Sequence, residues 1–193
     1  MDFVLDLDKS LFVFFNSLGS EYFDSFWLFI SESDIIEVIY LFLVIEFLRF
    51  FKIKDLKSIL IFLLSMILMI VFTDQSSNFF KEFFERLRPC HNPELIEIIR
   101  IVKDGCGGLY GFFSAHAANT FAFASFIYFL TPNENNYKRT SFLLFIWAAI
   151  ISYSRIYIGV HFPLDIIIGT IYGFLSGYLF HKPFLYFRKS KLI

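Results

Sequence analysis

Apolar residues run through this chain in five long stretches, about Ile35 to Phe51, Ile59 to Phe72, Phe113 to Leu130, Phe142 to Tyr157 and Pro163 to Phe180, with polar residues gathered between them. Runs of this kind predict helices that cross a bilayer. The second run is short, but nothing in the following TDQSSNFFKEFFERL breaks a helix before Pro89, so that helix is expected to project beyond the bilayer. Residues 1–33 read differently. Their LDKSLFVFFNSLGSEYFDSFWLFIS mixes acids with Phe, Leu and Trp and is interrupted near Gly19, which predicts one or two amphipathic helices lying in the interface. A sixth span over Tyr22 to Ile30 is the alternative, and it is too short for a full crossing. The expected fold is all-α: one domain over residues 1–193, a polytopic transmembrane helical bundle of about five spans plus N-terminal interfacial helices, or six spans in the variant reading.

Composition strengthens the membrane reading. Hydrophobic residues make up 57% of the 193, and a mean hydropathy of +0.64 exceeds what a soluble core could hide. The net charge of −1, with basic residues scattered among the loops, excludes a general nucleic-acid binder. MDFVLDLDKS is acidic where a secretory signal is positive, so the chain is expected to keep its full length. Five spans place Arg49, Lys52, Lys54, Lys57, Lys138, Arg139, Lys182, Arg188, Lys189 and Lys191 on one face. That face is expected to be cytoplasmic.

The other face receives KEFFERLRP from the second span, FFSAH opening the third, and SRIYIGVHFPLD between the fourth and fifth. Ionisable groups near membrane depth are costly and usually paired or functional. Lys81 and Arg88 are seven residues apart, so on a continuous helix both point to one side. With Arg155 they can neutralise a phosphate. Ser114 adds a hydroxyl, and the amides of Ala115 and His116 open a helix whose dipole favours an anion. His161 and Asp165 are four apart, which lets the acid hold one imidazole nitrogen while the other attacks. His116 can then protonate the leaving oxygen. Arg86, Arg100 and Lys103 read as solvated loop charges, and Asp74 as a buried partner of a polar neighbour such as Asn119 or as a support for the site.

Lys81, six residues, Arg88-Pro89, then Ser114-x-His116, then Ser154-Arg155, five residues, His161, three residues, Asp165 resembles the signature of the type 2 phosphatidic acid phosphatase superfamily. The resemblance implies an integral-membrane, metal-independent phosphatase that needs no cofactor and works through a phosphohistidine. It casts His161 as nucleophile, Asp165 as its orienter and His116 as general acid, with Lys81, Arg88, Ser114 and Arg155 on the phosphate. Two departures stand out: Ala115 occupies a position that is usually glycine, and five spans are counted where many members have six. The expected partners are a lipid phosphate and the surrounding membrane lipids, with undecaprenyl diphosphate the favoured substrate. Phosphatidylglycerophosphate, phosphatidic acid, lipid A phosphate, transfer between lipids, and a non-catalytic lipid-phosphate binder are the alternatives. The expected location is a bacterial inner membrane with the site on its periplasmic face. Oligomeric state is left open.

Two smaller patterns complete the reading. Cys90 and Cys106 both lie in the outer loop, residues 81–116, and an oxidising compartment would let them form a disulfide, with two free thiols as the alternative. Gly169, Gly173 and Gly177 recur every fourth residue, as do Ala118 and Ala122, which predicts close helix packing inside the bundle, or otherwise a dimer seam.

Overall fold

The computed structural model describes residues 2–32, 35–50, 53, 55–131 and 135–189. Phe51, Lys52, Lys54 and Lys191, which enter the span and orientation expectations, lie outside them, as do the side chains of Lys138, Arg188 and Lys189. Among the described residues there are seven α-helices and no strand: α1 (Asp2–Ser17), α2 (Glu21–Glu32), α3 (Ile35–Phe50), α4 (Leu56–Phe84), α5 (Ala115–Leu130), α6 (Asn135–Tyr157) and α7 (Pro163–Lys189). The fold is an all-helical membrane bundle. α4 and α7 are long and apolar enough to cross a membrane on length and composition alone, and Ser141–Tyr157 of α6 forms a shorter apolar stretch. α2, at 12 residues, is about 18 Å long and cannot span.

The helix starts follow local chemistry. Asp55 caps α4 by accepting from the Ser58 amide at 2.9 Å, Ser114 caps α5, and Pro163 sits at the first position of α7, where a missing N–H costs nothing. α4 does not reach Pro89. It ends at Phe84, and Glu85 adopts a left-handed conformation with its amide bonded to the Lys81 carbonyl at 3.0 Å. The chain from Arg86 is therefore extended, and Leu87 makes an isolated antiparallel bridge with Tyr110.

α5 is the central helix, packed chiefly on α7 and then on α6 and α4. The small-residue pattern explains its position. A Cβ at Gly169, Gly173 or Gly177 would fall within 2.7 Å of Ser114 O, 2.1 Å of Ala118 O or 1.9 Å of Ser125 Oγ respectively, so the stripe faces α5 inside the bundle. At the end remote from Ser114, Phe62 stacks on Phe47 and meets Phe184 edge-on at 5.6 Å, sealing the core with rings. Leu60, Leu64, Ile67 and Val71 of α4 point outward, as lipid-facing residues should.

α1 is turned the opposite way to a helix of a soluble protein. Phe3, Val4, Leu7, Leu11, Phe14 and Leu18 are exposed, whereas Asp8, Phe12 and Asn16 are buried. Asn16 accepts from the Arg100 amide at 2.7 Å and donates to the carbonyls of Arg100 and Tyr157, both at 3.0 Å. These bonds tie α1 to the loop before α5 and to the end of α6. Gly159 turns the chain there at φ +89°, and a Cβ would come within 2.8 Å of the Arg100 carbonyl.

Replacing Gly173 by Val should drive α5 and α7 apart. Thermal unfolding in detergent should show a destabilisation of about 1–3 kcal/mol, whereas Gly108→Ala, with nothing within 4 Å of the new Cβ, should leave the transition unchanged.

Candidate active site

Four helix ends meet on one side of the bundle: the C-termini of α4 and α6 and the N-termini of α5 and α7. The two N-termini are joined directly, since the Ser114 amide donates to the Asp165 carbonyl at 3.1 Å. Ser77 on α4 donates to the Phe113 carbonyl at 2.8 Å, fixing the approach to Ser114. The turn between α6 and α7 then carries His161 into the junction.

The catalytic and phosphate-binding candidates named from sequence lie in this junction. Lys81 is in the last turn of α4, Arg155 in the last turn of α6, and Asp165 in the first turn of α7. Ser114 caps α5, and Ala115 and His116 are its first two residues, whose amides have no acceptor within the helix. The Ala115 methyl lines the adjoining cavity. Lys81, Arg88 and Arg155 are close enough to act on one another's charge and on that of His161. Lys81 and Arg88 do not share a helix face, because α4 stops between them. The Arg88 guanidinium is instead aimed by two carbonyls, Tyr110 O and Cys106 O, each at 3.1 Å. Cys90 and Cys106 are joined as a disulfide with a Cα–Cα distance of 6.1 Å, so the link ties the chain two residues after Arg88 to Cys106, whose carbonyl holds the Arg88 guanidinium.

His161 is buried and Asp165 wholly so. His161 Nδ1 lies 3.4 Å from Asp165 Oδ2, which also accepts from the Phe162 amide at 3.0 Å. With the ring proton on Nδ1, facing that carboxylate, Nε2 keeps a lone pair. Gly111 packs against both residues: a Cβ there would sit 3.3 Å from Asp165 Oδ2 and 3.6 Å from His161 Nδ1. Burial, and after it the charges of Arg155, Arg88 and Lys81, hold the His161 imidazole well below its ordinary value, against a hydrogen bond that the ring donates to the Gly111 backbone carbonyl. A neutral imidazole beside three cations is suited to attack on an anion that those cations bind.

Sequence reasoning missed Arg86. It is not a solvated loop charge: its side chain is 17% exposed and bridges two buried acids, Asp165 Oδ1 at 2.7 Å and Asp8 of α1. Its guanidinium also lies 4.2 Å from the centre of the Phe162 ring. Once the chain is known to be extended here, Arg86 and Arg88 fall on one alternating face. Arg100 and Lys103 are likewise paired, with Asp24 and Glu32. Glu32 also takes Arg155, whose Nη1 reaches it at 2.6 Å and bonds the neighbouring Ser31. Burial pushes the Glu32 carboxyl up, but hydrogen bonds from Lys103 and Arg155, with their charges, outweigh this and hold it below the usual range. Arg155 Nε is buried without a partner.

Beside His116 opens a cavity of about 530 Å³ whose polar wall includes Ser31, Glu32, Asp74, Asn119 and Thr120 and whose deeper wall includes Tyr40, Met66, Ile70 and Phe123. Asp74 accepts from Asn78 at 3.4 Å, while Asn119 bonds Thr73. His116 lines this cavity and His161 does not. Among the described residues no three His, Cys, Asp or Glu side chains group as metal ligands would.

The sequence matches the PAP2 superfamily over residues 58–189. The chain belongs to the PAP2 superfamily. It is 34% identical over its whole length to a lipid A 4'-phosphatase of Porphyromonas gingivalis, covering 79% of that protein, and 34% identical over 94% of its length to one of Bacteroides thetaiotaomicron, covering 78%. Its fold resembles the crystal structure of Aquifex aeolicus LpxE (TM-score 0.62, 26% identity, 91% of this chain and 95% of that one). It also resembles a transmembrane PAP2-type phosphatidylglycerolphosphate phosphatase of Bacillus subtilis (TM-score 0.70, 19% identity, 93% and 85%), a likeness of fold alone. The protein is a PAP2 membrane lipid phosphatase.

If His161 is the attacking base of this PAP2 site, the acid limb of kcat/KM must lie below the 6.5 of an ordinary histidine, because the lowered value keeps the ring neutral there. A pH–rate profile on a phosphate monoester, corrected for the substrate's own second ionisation near about 6, tests this. A limb above the ordinary histidine value would remove His161 from the nucleophile's role.

Proposed function

We propose that this enzyme hydrolyses a phosphate monoester on the sugar headgroup of a lipid A-type glycolipid. The observation that carries the reading is the 34% identity to lipid A 4'-phosphatases over nearly the whole chain. It favours the glycolipid alternative over undecaprenyl diphosphate.

The proposed mechanism uses the junction as built. Lys81, Arg88, the free Arg155 Nε and the amides of Ala115 and His116 hold the phosphate oxygens, with the Ser114 hydroxyl beside them. His161 Nε2 attacks phosphorus, Asp165 holds Nδ1–H, and His116 gives a proton to the leaving oxygen. Water then releases phosphate from His161. Attacking and leaving atoms stand roughly in line, so the leaving group lies on the cavity side, past His116. The carboxylates of Asp74 and Glu32 and the amide of Asn119 in that wall suit the hydroxyls and amides of a sugar. A second phosphate placed there would meet carboxylates.

Phosphate release from lipid A, undecaprenyl diphosphate, phosphatidylglycerophosphate and phosphatidic acid should show kcat/KM highest on lipid A by on the order of tenfold or more. His161→Ala should abolish release, and Asp74→Asn should improve the diphosphate relative to lipid A. Preference for undecaprenyl diphosphate would restore the polyprenyl reading.

We further infer an inner-membrane location with the site on the periplasmic face. Arg49, Lys57, Arg139 and Lys182 lie at the helix ends opposite the site, where the positive-inside rule puts the cytoplasm. The disulfide needs an oxidising side. Cysteine introduced at Glu97 should therefore react with an impermeant reagent added outside intact spheroplasts, and cysteine at Arg139 should not. The reverse labelling would place the site in the cytoplasm.

A further inference from the structure

We infer that Arg86, held by Asp8 of the N-terminal helix α1, is a positioning residue for the reaction: it fixes Asp165, and through Asp165 the His161 ring. The inference rests on His161 and Asp165 acting as nucleophile and orienter.

The geometry divides the labour. Asp165 has two carboxylate oxygens and no exposure to solvent. Oδ2 takes His161 Nδ1 and the Phe162 amide, and Oδ1 takes Arg86 Nη1 at 2.7 Å. Rotation of the carboxylate would break one set to improve the other, so Arg86 sets the plane in which His161 is held. Arg86 is itself restrained on three sides: Asp8 Oδ2 takes its second nitrogen, the Phe162 ring lies under its face, and the Arg86 carbonyl accepts from the Gly111 amide at 2.8 Å. Asp8 is anchored separately, since its Oδ1 accepts from the Leu164 amide at 2.7 Å and so caps the start of α7.

The charges give the pair a signature that packing alone would not. Around His161 stand Lys81 from α4, Arg88 from the loop, His116 from α5, Arg155 from α6 and Asp165 from α7, with Asp8 of α1 behind Arg86 and Glu32 of α2 behind Arg155. Without the Arg86 charge, the His161–Asp165 pair takes up a proton more readily, whichever member holds it. The active form, with neutral imidazole and anionic carboxylate, then requires a higher pH.

The test compares Arg86→Met, Arg86→Lys, Asp8→Asn, Asp165→Asn and His161→Ala in the purified full-length protein on one soluble phosphate monoester. Arg86→Met should lower kcat on the order of 100-fold with KM within about threefold, and raise the acid limb of kcat/KM by about one pH unit. Arg86→Lys keeps the charge but cannot bridge two acids, so the limb should stay in place while kcat falls. Asp8→Asn keeps an oxygen for the Leu164 amide and loosens only Arg86, so kcat should fall by about tenfold without an upward move of the limb. Arg86→Met added to Asp165→Asn should cost little more, because the residue it acts through is already altered. Wild-type kcat and acid limb in Arg86→Met, with His161→Ala inactive and Asp165→Asn impaired, would overturn the inference alone. Activity retained in His161→Ala would overturn the site reading beneath it. If Arg86→Met does not fold, Arg86→Lys and Asp8→Asn decide: wild-type kcat in both overturns the inference.

Discussion

A carboxylate wholly out of solvent is tolerated only when it is paired, and Asp165 is such a group. Its partners come from three parts of the chain: His161 and the Phe162 amide from the turn before α7, Arg86 from the extended segment after α4, and, behind Arg86, Asp8 from α1. Satisfying one buried charge thus draws the end of α4, the start of α7 and the middle of α1 to a single point. The ends of α5 and α6 follow, because the Ser114 amide binds the Asp165 carbonyl and the His161 amide, in the turn after Tyr157, bonds the Arg155 carbonyl at 3.3 Å.

Such a junction is useful only if the helices keep their separation, and close packing supplies that. Glycines on α7 set against the backbone of α5 leave no side chain that could change rotamer and let the helices slide. The far end is closed by interlocking rings around Phe62. Between the two lies the cavity beside His116, lined by both polar and apolar side chains.

The residues around His161 were legible in sequence because their spacing is local: four residues across one turn bring Asp165 to the imidazole whatever else the chain does. The five apolar runs were legible for a similar reason, since lipid demands them continuously along each helix. Lys81 and Arg88 were legible as a pattern, yet they meet by another route than a shared helix face, because Glu85 turns left-handed and the helix ends early. Nothing local marks such a stop in a run of good helix formers. Arg86, Asp8 and Glu32 were opaque because the ions they pair with lie 71 to 123 positions away. A trace was present in α1, where Asp8, Phe12 and Asn16 form a stripe on a helix otherwise apolar outward, but the stripe names no partner.

That distance matters for how the site's charge is balanced. The family match begins at residue 58, and within it lie the cations Lys81, Arg86, Arg88, Arg100, Lys103 and Arg155. Their carboxylate partners lie largely before it: Asp8 for Arg86, Asp24 for Arg100, and Glu32 for Lys103 and Arg155. Cations gathered for an anionic substrate repel one another when the substrate is absent, and acids placed at their outer edge relieve that repulsion without occupying the centre. Glu32 holds one Arg155 nitrogen while Nε is left without a partner in the structure. The N-terminal helices, through Asp8, Asp24 and Glu32, therefore supply the electrostatic complement of the cations that the matched region gathers.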